Sequence, residues 1–400
     1  MTSSCWDSTL PASVKKLSEN NNFSGFDFRK GLGHILVLLW ICIGISSCES
    51  GEKDTEKGDE ARLKTMLPDA DQRYLHLTGT IGKRAVSMDL VKERGYEGDS
   101  FFSGYFYFDD AEEPVPFFSE SGDSLKTLIL NESGGGEHQN GRFIGEFISG
   151  SFHGTFKPQN GKEEPFRLTI SREEGSLVLR SISADTFFAA SNQGNPPKAR
   201  FSWHFLRPDE KWLEELFLRD LHGDSLFRIG KGKAEMIFGL LGAQYAKDYR
   251  EDVKPFLGED EISGVLNYDL SYGMDVAFNR NQLLSVIFTQ YQYTGGAHGM
   301  MYSRCFSYDV EAGKRLGIGD VFRKGYEKEL KTAINLAARK KYRVKNLSEV
   351  LLVDEIEVTN NFFLSGKGIC FVYQPYEIGP FSMGEQLIYL PFSSLIDLAR

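Results

Sequence analysis

Between Arg73 and Ile170, apolar and polar residues alternate in short runs, and glycine-rich turns separate the runs. Alternation of period two places apolar side chains on one face of a strand, and a turn after each run brings the chain back beside it. The runs are "YLHLTGTI", "AVSMDLV", "FFSGYFYF", "PVPFFS", "SLKTLIL", "RFIGEFIS", "SFHGTF" and "PFRLTI"; the plainest turn is "ESGGGEHQNG". Eight such strands with no helix among them predict an all-β antiparallel meander over 72–190, closed as a barrel or folded as a sandwich. Closure would remove the unpaired edges along which strands aggregate. The interior of a barrel this small can hold a ligand, but filling by its own side chains is the expectation. His76 and His153 read as strand-surface or rim residues.

The pattern changes after the linker "SNQGNPP". Helical spacing begins at Pro208-Asp209 and continues through Trp212, Leu213, Leu216, Phe217 and Leu221 to Gly223. Further helices are predicted near Lys233–Tyr249 and Gly325–Tyr342, with strands between and after them and a short terminal helix at "SSLIDLA". The chain is therefore predicted to be multidomain. An α+β unit over 198–400, with an antiparallel sheet and three main helices, follows the β unit.

The first residues read differently. Arg29 and Lys30 precede an apolar run from Ile35 to Ile45, too short to span a bilayer and suited to the core of a secretory signal. Directly behind it, "ISSC" looks like a bacterial lipobox that would make Cys48 a lipidated N-terminus; a short membrane anchor is the alternative. Residues 1–47 are then a signal peptide with an extended polar start. Residues 48–71 are then the lipidated cysteine and a charged, acidic tether, which from Ser50 reads "SGEKDTEKGDEARLKTMLPDAD". An acidic stretch in that place resembles the surface-export signal of Bacteroidetes lipoproteins, or is a plain solvated linker. The expected location is the cell envelope, held to the membrane through lipid. Cys305 and Cys370 would be the remaining cysteines, either a disulfide or two buried thiols. The net charge of -10 argues against nucleic acid as a partner.

The most distinctive string is "YQYTGGAHGM", where alternating Tyr291 and Tyr293 run into Gly295-Gly296 and then His298. With "DVEAGKRLGIGDVF" and the later "FVYQPYEIGPFSMGEQLIYLPFSSL", which contains Tyr376, it resembles the RsiV/PdaC-like extracytoplasmic domain, over roughly 201–400. That resemblance implies a binding or structural module. Such domains occur on membrane-anchored anti-sigma factors, where the RsiV type binds lysozyme, and ahead of the catalytic domain of peptidoglycan deacetylases. Neither the anti-sigma nor the deacetylase segment is evident in this sequence, so neither activity is expected.

Catalysis by His298 would need a partner to orient it or a nucleophile to serve, and neither stands at a telling offset. Zinc helices, Cys-x-x-Cys pairs, phosphate-binding loops and Gly-x-Ser-x-Gly elbows are absent from the sequence, so no metal, cofactor or catalytic residue is assigned. The expected function is a non-catalytic binding or sensing module for a cell-wall component or a lysozyme-like protein, with Tyr291, Tyr293, His298 and Tyr376 as binding candidates. A peptidoglycan hydrolase or deacetylase, and a small-ligand carrier using the β unit, are the alternatives. Oligomeric state is not legible.

Overall fold

The computed structural model describes residues 74–398, apart from 95–99, 120–126, 133–140, 160, 173, 193 and 258–264. The expected signal, Cys48 and the tether lie outside the described residues.

The meander closes. Strands β1 (Tyr74–Ile81), β2 (Arg84–Arg94), β3 (Ser100–Phe108), β4 (Val115–Ser119), β5 (Leu128–Glu132), β6 (Arg142–Ile148), β7 (Ser151–Lys157) and β8 (Glu164–Ile170) pair in sequence order, and β8 returns to β1. Every pairing is antiparallel, as hairpin-by-hairpin growth dictates. The inward positions pack as one apolar core that includes Leu77, Met88, Phe106, Phe143, Phe152 and Phe166. Phe143 meets Phe106, Phe156 and Phe166 at ring-centroid distances of 5.0, 4.7 and 5.2 Å. The described part of the interior is thus filled with phenylalanine, as expected. One corner depends on glycine: Gly145 and Gly154 face each other across β6 and β7, and a Cβ on Gly154 would sit 2.0 Å from the Ile144 carbonyl oxygen.

The second unit begins earlier than its helices. Strand β9 (Leu179–Ala189), expected within the first unit, pairs instead with β10 (Lys198–Pro208) and forms the edge of a six-stranded sheet. The "SNQGNPP" segment is the turn of that hairpin. Helices α1 (Lys211–Ile229) and α2 (Ala234–Val253) follow, with α1 broken at Gly223, whose φ is 76°. Then come β11 (Asp269–Arg280), β12 (Leu283–Tyr293), β13 (Met300–Asp309) and β14 (Lys314–Leu316), in the order β14-β13-β12-β11-β10-β9. The sheet is mixed: β10 and β11 are parallel, because the two helices between them form a crossover. After the short α3 (Ile318–Val321) and the long α4 (Glu327–Tyr342), strands β15 (Phe362–Leu364), β16 (Gly368–Tyr373) and β17 (Gln386–Pro391) form a separate antiparallel sheet. The expected terminal helix is only a single 3₁₀ turn at Phe392–Ser394.

Alternation gives the six-stranded sheet two apolar faces. Val276, Val286, Phe288 and Phe306 pack under α1 and α2. Their neighbours Ala277, Ile287 and Cys305 face the other way, onto Phe363, Cys370 and Val372 of the small sheet and Tyr105 of the barrel. The barrel therefore docks on the sheet. Tyr107 packs on Phe278 at 5.2 Å, Asn279 Nδ2 donates to the Tyr74 hydroxyl at 2.9 Å, and Lys367 Nζ donates to the Asp109 carbonyl at 2.6 Å.

His76 is buried in this junction rather than placed on a rim. Its Nδ1 lies 2.8 Å from Asp89 Oδ1, which also accepts from the Tyr74 hydroxyl at 2.7 Å. His153 is half-exposed beside Glu146, at 3.7 Å.

Candidate functional site

The hairpin joining β12 to β13 turns through Gly295 and Gly296, with φ of 86° and 98°, a region that side chains with a Cβ rarely adopt. This turn presents His298 to solvent, with Nδ1 donating to the Gly299 carbonyl at 3.0 Å. Gly299 has a second duty. A Cβ there would lie 2.4 Å from the Tyr291 ring, so glycine lets that ring lie against the returning strand. Tyr291 pairs across the strands with Met301, and both are exposed, at 38% and 43%.

A second segment completes the surface. After β16 the chain enters a loop in which Tyr376 takes a φ of 70° and donates its N–H to the Gly379 carbonyl at 3.1 Å. Gln374 fastens this loop to β13: its Oε1 accepts from Ser303 N–H at 3.0 Å, and its Nε2 donates to the Ser303 carbonyl at 2.7 Å. Phe381 then stacks on His298, with centroids 3.8 Å apart and planes 18° apart, and its other ring neighbour is Tyr376 at 5.7 Å and 28°. Tyr376 is 53% exposed. The result is a platform of solvent-facing rings, His298–Phe381–Tyr376, with Tyr291 and Met301 on the hairpin beside it.

Sequence reading named Tyr291, His298 and Tyr376, which this surface brings together. It missed Phe381, which joins two of them; "YEIGPF" places that phenylalanine five residues beyond Tyr376, the only available signal. Tyr293 has a different task. Its hydroxyl donates to the Gly296 carbonyl at 3.1 Å and ties the turn together.

Two carboxylates accept hydrogen bonds from serines of distant segments. Asp275 on β11 accepts from the Ser103 hydroxyl of the barrel at 2.7 Å, and Glu385 accepts from the Ser303 hydroxyl. Both are partly buried. Burial raises both carboxyls well above the usual carboxylate range, against the lowering effect of each serine hydrogen bond, and the Asp275 charge raises Glu385 further. Tyr105 is raised too, first by burial and then by these two charges. Among the described residues, no group of three or more His, Cys, Asp and Glu converges to hold a metal ion.

Cys305 and Cys370 share the small apolar cluster between sheet, barrel and β16, and both are free buried thiols. The disulfide alternative is not formed. Burial pushes both thiols up, so the reactive thiolate is scarce as well as shielded. In the folded protein both are expected to react with a soluble thiol reagent orders of magnitude more slowly than after denaturation. Rapid labelling of either in native buffer, followed by mass spectrometry, would contradict that packing.

A groove of about 860 Å³ between β9 and α2, lined in part by Phe201, Trp203, Phe238, Gly239 and Gly242, lies on the opposite, helix-covered side of the sheet. None of the candidate residues lines it. The platform is the better site because separate segments converge there to hold apolar rings in solvent, which single exposed residues do not require.

Two family models match separate stretches of the second unit. The family model described as "Protein of unknown function (DUF3298)" matches residues 319–393, and the one described as "Deacetylase PdaC" matches residues 241–301. Tyr291 and His298 fall in the second match; Tyr376, Phe381 and Glu385 fall in the first. The chain is similar to the peptidoglycan-N-acetylmuramic acid deacetylase PdaC of Bacillus subtilis (strain 168), at 23% identity over 160 residues, 38% of this chain and 34% of that protein. It thus spans about a third of the length of that relative. Among solved structures it is similar to a DUF3298 family member from Bacteroides fragilis NCTC 9343 (TM-score 0.51, 24% identity, 57% of this chain, 96% of that one). Another DUF3298 family protein, from Pseudomonas aeruginosa PAO1, has a TM-score of 0.39 and 16% identity over 56% of this chain and 94% of its own.

Proposed function

We propose that the C-terminal half of the chain, which resembles PdaC over 241–301 and DUF3298 over 319–393, binds the glycan of the bacterial cell wall without transforming it, through the ring platform. The observation that carries this reading is the exposed stack of His298, Phe381 and Tyr376. Flat rings offer large apolar area at low entropic cost, and aromatic residues dominate the energetics of recognition surfaces. A sugar ring has apolar C–H faces of matching size. The cell-wall substrate class comes from the relative whose name is a peptidoglycan deacetylase. In this reading a lipid at Cys48 holds the module in the envelope, and the barrel sets its distance and orientation.

Co-sedimentation with purified peptidoglycan sacculi tests the reading. Retention that persists at high salt is the expected result, because ring stacking is not screened as charge pairing is. Salt-sensitive capture of lysozyme, with no retention on sacculi, would favour a basic protein partner instead. The second reading, a peptidoglycan-modifying enzyme, is favoured by Asp275 and Glu385, two carboxyls whose affinity for protons burial raises. Release of acetate or soluble fragments from sacculi, lost in Glu385→Gln, would establish it against the first.

A further inference from the structure

We propose that the C-terminal end of helix α4 is a docking face for an anionic lipid bilayer. Helix α4 buries Leu330, Ile334 and Ala338 against the small sheet. Residues three, four and seven apart share one side of a helix, so Leu336, Arg339, Lys340 and Arg343 lie together on the outward side. Leu336 is 66% exposed. Lysine or glutamate would form the helix as well there, so an apolar side chain among cations has no local reason. The stretch from Arg339 to Lys345 reads "RKKYRVK". Two of its members work inside the fold: Lys341 Nζ donates to the Leu387 carbonyl at 2.7 Å, and the Tyr342 hydroxyl donates to Gln386 Oε1 at 2.5 Å, which fastens the helix to β17. Arg339, Lys340, Arg343 and Lys345 form no ion pair among the described residues, whereas Lys331 of the same helix pairs with both Glu355 and Glu357.

Arg343 supplies a second, independent observation. It stands just past the helix with a φ of 56°, in the left-handed region. Its N–H donates to the Lys340 carbonyl at 3.3 Å, and the Val344 N–H donates to the Arg339 carbonyl at 3.2 Å. These two bonds make a Schellman ending, whose left-handed position most often holds glycine. Arginine there bears a backbone cost that glycine would not, so its side chain has work to do outside the turn. Cations in a last turn do complement the helix dipole, but that role needs neither an exposed leucine nor an arginine in the place of glycine.

Charge and apolar surface together select the partner. The chain carries a net charge of -10, so an anionic surface repels it as a whole and draws in this cationic end. A soluble polyanion offers charges but nothing for Leu336. Lipid phosphates above an acyl boundary take both, as they do for helices that lie in a membrane surface. Docking by this face fixes how the domain is turned on the membrane. It requires neither a lipid at Cys48 nor the glycan reading.

Vesicle flotation of the full chain tests this, with Cys48→Ser present throughout so that no acyl chain contributes. One set of vesicles is phosphatidylcholine alone, and the other is phosphatidylcholine with an equal part of phosphatidylglycerol. Each cation near such a surface contributes about fivefold, so the anionic vesicles should bind at least about fiftyfold more tightly at low salt. Lys340→Gln should lower that ratio about fivefold. Leu336→Ser should weaken binding to the anionic vesicles at least about threefold and leave its salt dependence unchanged. Arg343→Gly relieves the backbone, so the thermal midpoint should hold or rise while the ratio falls about fivefold; a purely structural arginine would do the reverse. Equal binding to both vesicles, or an anionic preference that Lys340→Gln and Arg343→Gly leave intact, would overturn the docking face. Binding to soluble polyphosphate as tight as to the anionic vesicles, and indifferent to Leu336→Ser, would assign the cations to a polyanion and overturn the lipid surface.

Discussion

Phe143→Ala is expected to destabilise the barrel by about 3–5 kcal/mol, the usual cost of removing a fully buried phenylalanine. Phe143 is fully buried, and three other rings, Phe106, Phe156 and Phe166, converge on it. The void left behind would be lined by rings held in a closed set of strands. A closed barrel has no free edge to shift inward, so relaxation into the cavity is restricted and the upper part of the range applies. Urea unfolding followed by near-ultraviolet circular dichroism measures it. A loss of under about 1 kcal/mol would mean that the interior is loosely packed and could admit a ligand, reviving the carrier function. Phe143→Leu, which keeps most of the volume, is expected to lose less than half as much.

Phe381→Ala is expected to weaken retention on sacculi at least tenfold, about 1.4 kcal/mol, while the thermal midpoint moves by only a few degrees. The asymmetry follows from where the ring lies. Phe381 is only partly buried and belongs to a 3₁₀ turn, so the fold loses little apolar burial without it. The platform loses its centre, however: His298 and Tyr376 each stack on Phe381 and would then be free to rotate. Phe381→Trp, still flat and apolar, should keep most of the binding. Equal sedimentation of wild type and Phe381→Ala would detach the glycan reading from this surface.

What was legible in the sequence follows from the range of the forces involved. Strand alternation is local, so eight strands and their hairpins could be read from adjacent residues, whereas the choice between barrel and sandwich depended on the β8–β1 pairing. Membership of a sheet is not local. Nothing in "LRSISADTFFA" says that β9 pairs onward with β10 instead of continuing the barrel. The parallel β10–β11 pair was hidden for the same reason, since two helices intervene. His76 looked like a rim residue because the partner that makes its burial tolerable, Asp89, lies on the next strand. At the site, the double glycine in "TGGAHG" marked a turn, and Gly295 and Gly296 do take positive φ there. The serine partners of Asp275 and Glu385 could not be read by inspection, because they lie 172 and 82 residues away in the sequence.

The most direct measurement is a titration of isotope-labelled protein with soluble disaccharide–peptide fragments of peptidoglycan, followed through its aromatic resonances. The account predicts saturable shifts at Tyr291, His298, Tyr376 and Phe381, with Trp203 and Phe238 in the distant groove unmoved. Saturable shifts centred on Trp203 and Phe238, or none at the platform when fragments reach millimolar concentration, would contradict it.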